Sequence, residues 1–426
     1  MHKFYSRVKS IGATSSVYMM SSFIGRGLPF FLLPVLTRYL STDDYGFIAM
    51  FNIIRSFLLP LIAISTAGAI GRAYFDRDKA GFNFSSYISS AFFVNTVFFL
   101  IFGVILFFLK DFISTRIGLP WQWVLAVPFF GYAASLISVR EKLWVFEDKP
   151  FRYAVFFVSK LTINIALSLL LVIVFSMSWE GRIVGIIATE ILFAVAAIIL
   201  LVRKYRVKIS VQINYIKDIL KFGLPLLPHA VAMAILTGAD KFFLKKAEGF
   251  SVLGVYIIGF MFGQIVLFIS SSIDVAISPR LYRRLGALNK ENSLELVRYI
   301  YVYLLILIFI ASAVAFSSRF LLKFLVAEEF YPAGKFIIWI CFANVSFGMY
   351  RVFAQFITYA KKTYMLSYAT VVSSVFAVFA NYFLIKLNGP VGAAQGVFVS
   401  YTFYSLFTWY CANRVIPLPW RKALTV

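Results

Sequence analysis

Apolar blocks of about 20 residues recur along the whole chain, each long enough to cross the ~30 Å hydrocarbon core of a bilayer as a helix. This repetition constrains the fold more than any single motif. In hydrocarbon every backbone N–H and C=O must be paired within its own segment or a closed barrel, and unbroken apolar blocks of this length pair theirs as helices. The chain is 61% hydrophobic and only 14% charged, whereas soluble globular chains are about 45–50% apolar and about 25% charged. Counting the blocks predicts spans at about 11–36, 45–69, 85–109, 121–141, 153–175, 182–202, 219–240, 253–277, 297–318, 334–360, 364–386 and 390–413. The expected fold is therefore all-α integral membrane, with twelve transmembrane helices. Met1–Ser10 carries Lys3, Arg7 and Lys9, but the apolar run after it is too long for a signal peptide and lacks an Ala-x-Ala site. It reads as the start of the first membrane helix.

The net charge of +23 invites a nucleic-acid reading. That reading fails because the basic residues sit in short loops between apolar blocks. With the N-terminus inside, the cytoplasmic segments hold about 26 Lys and Arg and the outer loops about 11. Arg140, Lys142, Lys149 and Arg152 form one such inner group; Arg203, Lys204, Arg206 and Lys208 form another. Both termini are expected to be cytoplasmic. Loops this short leave no room for a surface enzyme's acid and base groups, so an enzyme is not expected. Cys341 and Cys411 fall in separate apolar blocks and read as core filling, and with His2 and His229 they make neither a metal site nor a disulfide framework. No cofactor is expected. Trp121, Trp123, Trp179, Trp409 and Trp420 lie near helix ends, as interfacial anchors do.

The chain also carries an internal echo. Thr37-Arg38-Tyr39-Leu40 followed by Tyr45-Gly46 parallels Asp240-Lys241-Phe242-Phe243-Leu244 followed by Leu253-Gly254, about half a chain later. Two six-helix halves of the same orientation follow, as in parallel repeats. The division expected is a lobe over 1–202, a cytoplasmic linker over 203–218 and a lobe over 219–426.

Arg26, Arg55, Lys160 and Arg351 each lie deep within a predicted span, about 12–18 Å from its nearer end. Four such cations facing lipid would cost about 10–14 kcal/mol on insertion scales. They must face a wet cavity, a counter-ion or a ligand. An excess of buried positive charge favours an anion, and guanidinium forks suit phosphate. Internal salt bridging is the competing account. Arg26 and Arg55, at similar depth on consecutive helices, are the favoured pair. Glu190 and Asp274 are candidates for a coupling ion or proton, or simply counter-ions. Pro29 and Pro34, then Pro225 and Pro228, are expected to interrupt the first helix of each half, as hinges or as static kinks.

Several stretches are similar to one family. They are Gly25-Arg26 through Leu40, Asp43-Asp44-Tyr45-Gly46, Lys221-Phe222-Gly223-Leu224-Pro225-Leu226-Leu227-Pro228-His229, Ala239-Asp240-Lys241, Gly254-Val255-Tyr256 and Gly389-Pro390-Val391-Gly392. In these the chain resembles the polysaccharide-transporter branch of the multidrug/oligosaccharidyl-lipid/polysaccharide exporter superfamily, and within it the bacterial O-antigen flippases. The resemblance implies two pseudo-symmetric six-helix lobes around a central cavity in a bacterial inner membrane. It implies alternating access that moves an undecaprenyl-pyrophosphate-linked oligosaccharide to the periplasmic leaflet, exchanged against H+ or Na+. Membrane lipids would surround the prenyl tail, and a polysaccharide polymerase and chain-length regulator would be downstream partners. The rival within the superfamily is a multidrug or cation antiporter, which needs acids in the first lobe. A membrane saccharide polymerase is a more distant alternative.

Overall fold

The computed structural model describes residues 32–422 and, ahead of them, residues 17, 20, 21, 24, 25, 27 and 30. A first helix, α1, is described in part and runs on to residue 39. It is followed by α2 (Thr42–Ala63), α3 (Thr66–Ala73), α4 (Phe84–Ile117), α5 (Trp121–Phe146), α6 (Pro150–Leu169) and α7 (Ser178–Tyr205). Then come the short α8 (Ile213–Gly223), α9 (Leu227–Gly286), α10 (Lys290–Leu325), α11 (Gly334–Tyr359) and α12 (Tyr364–Val415). Among the described residues nine helices are long and apolar enough to cross a membrane. Two of these, α9 and α12, are each broken into two arms by one glycine outside helical geometry, Gly249 (φ 87°) and Gly389 (φ 57°). With ψ at −175° and −141°, these two positions lie in a region of backbone space that only glycine enters without strain. Separating the arms gives eleven spans among the described residues, and most of the first predicted span, 11–36, lies outside them. The protein is an all-α, multi-pass membrane protein.

Helix starts carry the expected local chemistry. Ser41 and Asp44 form a reciprocal cap: the Ser41 N–H donates to Asp44 Oδ2 (2.8 Å), and the Asp44 N–H donates to Ser41 Oγ (3.2 Å). Asn83 and Asn289 accept from Ser86 N (3.0 Å) and Asn292 N (2.7 Å) at the starts of α4 and α10. α4 and α10 expose long apolar stripes, including Phe108 and Val104 on one and Phe309 and Phe324 on the other. α11 is packed instead, with Phe336, Ile337, Ile340 and Cys341 fully buried. Cys341 and Cys411 are free, buried thiols.

The chain divides into two compact units, Met1–Leu40 with Met50–Val231, and Ser41–Ala49 with Ala232–Val426. In the first, the segment expected as a linker is pinned to the α4 serines. Ser85 Oγ donates to the Arg206 carbonyl (3.2 Å), while the N–H groups of Lys208, Ser210 and Gln212 donate to Ser85, Ser89 and Ser90 (3.1, 3.2 and 3.0 Å). The paired serines of α4 thus supply the hydrogen bonds that an extended segment lacks. α8 then docks through Asp218, which accepts from both Arg72 and Tyr87. Where α8 ends, a Cβ on Gly223 would strike the Ile64 carbonyl, at the break where Ile64 and Ser65 take positive φ between α2 and α3.

In the second unit the sequence echo becomes a reciprocal contact. A Cβ at Gly46 would collide with the Phe250 carbonyl, and one at Gly254 with the Thr42 carbonyl. Each glycine lies against the residue four before the other, and Thr42 Oγ1 bonds Ser251 Oγ at 2.7 Å. Only glycine permits backbones to approach this closely.

Candidate functional site

The first unit gathers four ionisable side chains from four helices. Arg55 comes from α2, Glu141 from α5, Lys160 from α6 and Glu190 from α7. Lys160 Nζ lies 3.6 Å from Glu141 Oε1 and 3.7 Å from Glu190 Oε1, with all three side chains mostly buried. The ammonium therefore sits between two carboxylates, committed closely to neither. Glu141 Oε1 and Glu190 Oε2 are buried atoms without a hydrogen-bond partner. Arg55 lies with its guanidinium carbon 4.6 Å over the Phe130 ring and within electrostatic range of Glu190. Of the candidates named from the sequence, Arg55, Lys160 and Glu190 are thus brought together.

The charge balance differs from expectation. Two cations and two acids cancel here, so among the described residues this cluster holds no fixed excess of positive charge. Glu141 is the reason. The predicted span stopped at 141, which put this acid at its very end. The helix continues to Phe146, and only Glu147-Asp148-Lys149-Pro150 ends it. Proline at the start of α6 was the available stop signal. Arg26 and Pro29 lie outside the described residues.

Arg351 and Asp274 belong to the second unit and meet each other. Arg351 Nε is 2.9 Å from Asp274 Oδ2, and the Tyr303 hydroxyl donates to Asp274 Oδ1 at 2.7 Å. The geometry is that of a counter-ion pair held by a phenol. The predicted 219–240 span is interrupted at its proline pair, between α8 and α9. Pro225 lies in a 3-10 turn (Leu224–Leu226), and Pro228 is the second residue of α9, where a missing N–H costs nothing. His229 follows in the same first turn. Pro34 lies within the helical run of α1.

A buried charged pair of the second unit also escaped the sequence reading. Asp240 and Lys241 were expected at a helix end, but the first arm of α9 continues to 248 and buries both. Lys241 Nζ contacts Asp240 (3.1 and 3.2 Å) and the Thr237 carbonyl (2.8 Å), and sits 3.8 Å over the Phe260 ring. The Tyr256 hydroxyl donates to Asp240 at 2.6 Å. Gly249, the actual break, was the signal that would have extended the helix. At one end of the first unit, Glu147 accepts from Arg140 (2.8 Å), Lys204 and Tyr205. Burial pushes its carboxyl upward, but those hydrogen bonds and the Arg140 charge hold it below the usual carboxylate range.

Comparison with known proteins places this geometry in context. The family described as polysaccharide biosynthesis protein matches residues 35–290, and the MatE family matches 225–383. A protein of the Lsg locus of Haemophilus influenzae is 22% identical over 379 residues, spanning 85% of this chain and 88% of that one. Among solved structures, the lipid II flippase MurJ in an inward closed conformation superposes with a TM-score of 0.75 at 15% identity, over 95% of this chain and 88% of that one. An inward-facing multidrug resistance MATE transporter of the MOP superfamily gives 0.73 at 14% identity, over 94% and 97%. At such identities the structural likeness is one of fold.

Proposed function

The chain belongs to the polysaccharide biosynthesis protein family, and we propose that it flips a lipid-linked oligosaccharide across the membrane by alternating access. The substrate proposed is an undecaprenyl-pyrophosphate-linked O-antigen repeat unit, moved from the cytoplasmic to the periplasmic leaflet of a bacterial inner membrane. Both termini are assigned to the cytoplasm on the loop charge count. The named activities of the similar structures, a lipid II flippase and a MATE transporter, support transport rather than catalysis. A polymerase and a chain-length regulator would act on the product.

The observation that carries the reading is Lys160 suspended between Glu141 and Glu190 beside Arg55. In this proposal the pyrophosphate engages Arg55, Lys160 and Arg26, whose donors suit phosphate oxygens. Doing so draws Lys160 away from the two glutamates. A carboxylate that loses its cation in a low-dielectric interior favours taking up H+ or Na+. Substrate and ion therefore become linked through one lysine, and the linkage is reciprocal. Asp274 and Arg351 are assigned a weaker, secondary role, because each already holds the other.

Glu141 also favours a second reading, since a cation antiporter needs acids in this unit. One experiment separates the two. Cells dependent on this chain and carrying Arg55→Ala with Lys160→Ala are scored for surface polysaccharide, for accumulated lipid-linked oligosaccharide and for resistance to cationic drugs. The flippase reading expects lost glycan, accumulated precursor and unchanged drug resistance at normal membrane expression. Normal glycan in that strain would overturn it, and lost drug resistance with normal glycan would establish the antiporter.

A further inference from the structure

A second charged feature of the first unit lies outside the cluster just described. α5 ends, α6 begins and α7 ends at the same end of this unit, and a groove of about 770 Å³ opens there. Arg140, Arg152, Arg203 and Lys204 line it, and no acid does. None of Arg55, Glu141, Lys160 and Glu190 is part of it. Glu147 lies behind the groove and accepts from Arg140 and Lys204 together, so one negative charge serves two cations. Arg152 and Arg203 make no ion pair among the described residues and are exposed. The local balance is strongly positive.

Arg140 lines this groove as a buried, firmly held cation. Its side chain is 2% exposed, its Nη1 donates to Glu147, and its guanidinium stacks 4.1 Å over the Trp144 ring. Its Nε is buried and has no hydrogen-bond partner. The exposed guanidiniums of Arg152 and Arg203 are the ones a phosphate in the groove can reach, and their forks suit its oxygens. The rest of the lining is of another kind. Phe151, Val155 and Leu200 are 73%, 49% and 39% exposed, and they stand on spans whose outer faces meet hydrocarbon. A soluble anion has no use for such a wall, whereas a lipid uses both halves.

We propose that this groove binds the phosphate headgroup of an anionic membrane lipid, with the lipid's hydrocarbon chain along Phe151, Val155 and Leu200. The charge count assigns this end to the cytoplasmic leaflet, where anionic headgroups attract basic segments. The site goes beyond the transport reading and does not rest on it. It would hold a resident lipid against the unit's outer face, at the end where Glu147 ties α5 to α7.

The test uses the full chain in nanodiscs of phosphatidylcholine doped with phosphatidylglycerol bearing brominated acyl chains. Trp144 fluorescence is isolated as the difference between the native chain and Trp144→Phe. Brominated phosphatidylglycerol should quench that component more strongly than brominated phosphatidylcholine. Arg152→Gln with Arg203→Gln should weaken the phosphatidylglycerol preference about tenfold, and both positions are exposed, so the fold should survive. Native mass spectrometry of the same double variant, which leaves Trp144 in place, should show fewer retained phosphatidylglycerol molecules. Equal quenching by the two lipids, or an unchanged double variant, would overturn the proposal. Displacement of the lipid by inorganic pyrophosphate alone would overturn it too, by showing a site for soluble phosphate groups.

Discussion

The two units solve the problem of a buried lysine in opposite ways. In the second unit Lys241 has three oxygen contacts between 2.8 and 3.2 Å and an aromatic face, and its partner Asp240 also receives the Tyr256 hydroxyl. In the first unit Lys160 hovers 3.6 and 3.7 Å from two carboxylates that keep buried atoms unpaired. A saturated pair has given up its capacity to bind anything else and can only hold structure. A loosely held one retains that capacity at some cost in stability. The same charge in the same kind of membrane unit therefore reads as framework in one place and as a site in the other. The Asp274–Arg351 pair stands between these extremes.

This contrast predicts a graded series of stability losses. Asp240→Ala should be the most damaging, because it strands Lys241 in a buried setting; about 3–5 kcal/mol is expected, seen as lost monodisperse protein in detergent. Adding Lys241→Met should restore much of it, and a stable single Asp240→Ala chain would break the comparison. Asp274→Asn should cost less, about 1–3 kcal/mol, since Arg351 is partly solvated; its thermal midpoint is the measurement. Glu190→Gln and Glu141→Gln should each change stability by under about 1 kcal/mol while reducing glycan export at least tenfold. A large midpoint drop without a transport defect would reverse the assignment of framework and site.

Acid sensitivity supplies the smallest effect. Burial raises the Glu147 carboxyl, but hydrogen bonds from Arg140, Lys204 and Tyr205 and the Arg140 charge outweigh it and hold the folded-state carboxyl below its ordinary value. A depressed carboxylate stabilises fully above the unfolded value of about 4.3. That contribution is lost as pH falls through the lower folded value. Glu147→Gln should flatten the acid side of the stability curve and leave the neutral side shifted by a constant, measurable as thermal midpoints across a pH series.

The spans were legible because each needs only its own residues: length, apolarity and a stop. The break at Gly389 falls between the predicted spans 364–386 and 390–413. Gly249 was passed over, so Asp240 and Lys241 were placed at an end that the helix does not have. Glu141 was misplaced for the same reason, because α5 has no proline or glycine between Arg140 and Pro150. The serines at 85, 89 and 90 carried no readable signal, since their partners are backbone groups more than a hundred residues away.

By itself the sequence determined that this protein crosses a membrane repeatedly as helices and that it keeps costly charges inside the spans. Both follow from how hydrocarbon treats a peptide and an ion, whatever their neighbours are. Which charge meets which partner was decided only by the tertiary structure. Pairing depends on where each helix ends and how it is turned toward its neighbours, and Lys160 meets Glu141 only because three separate helices bring Lys160, Glu141 and Glu190 to one place.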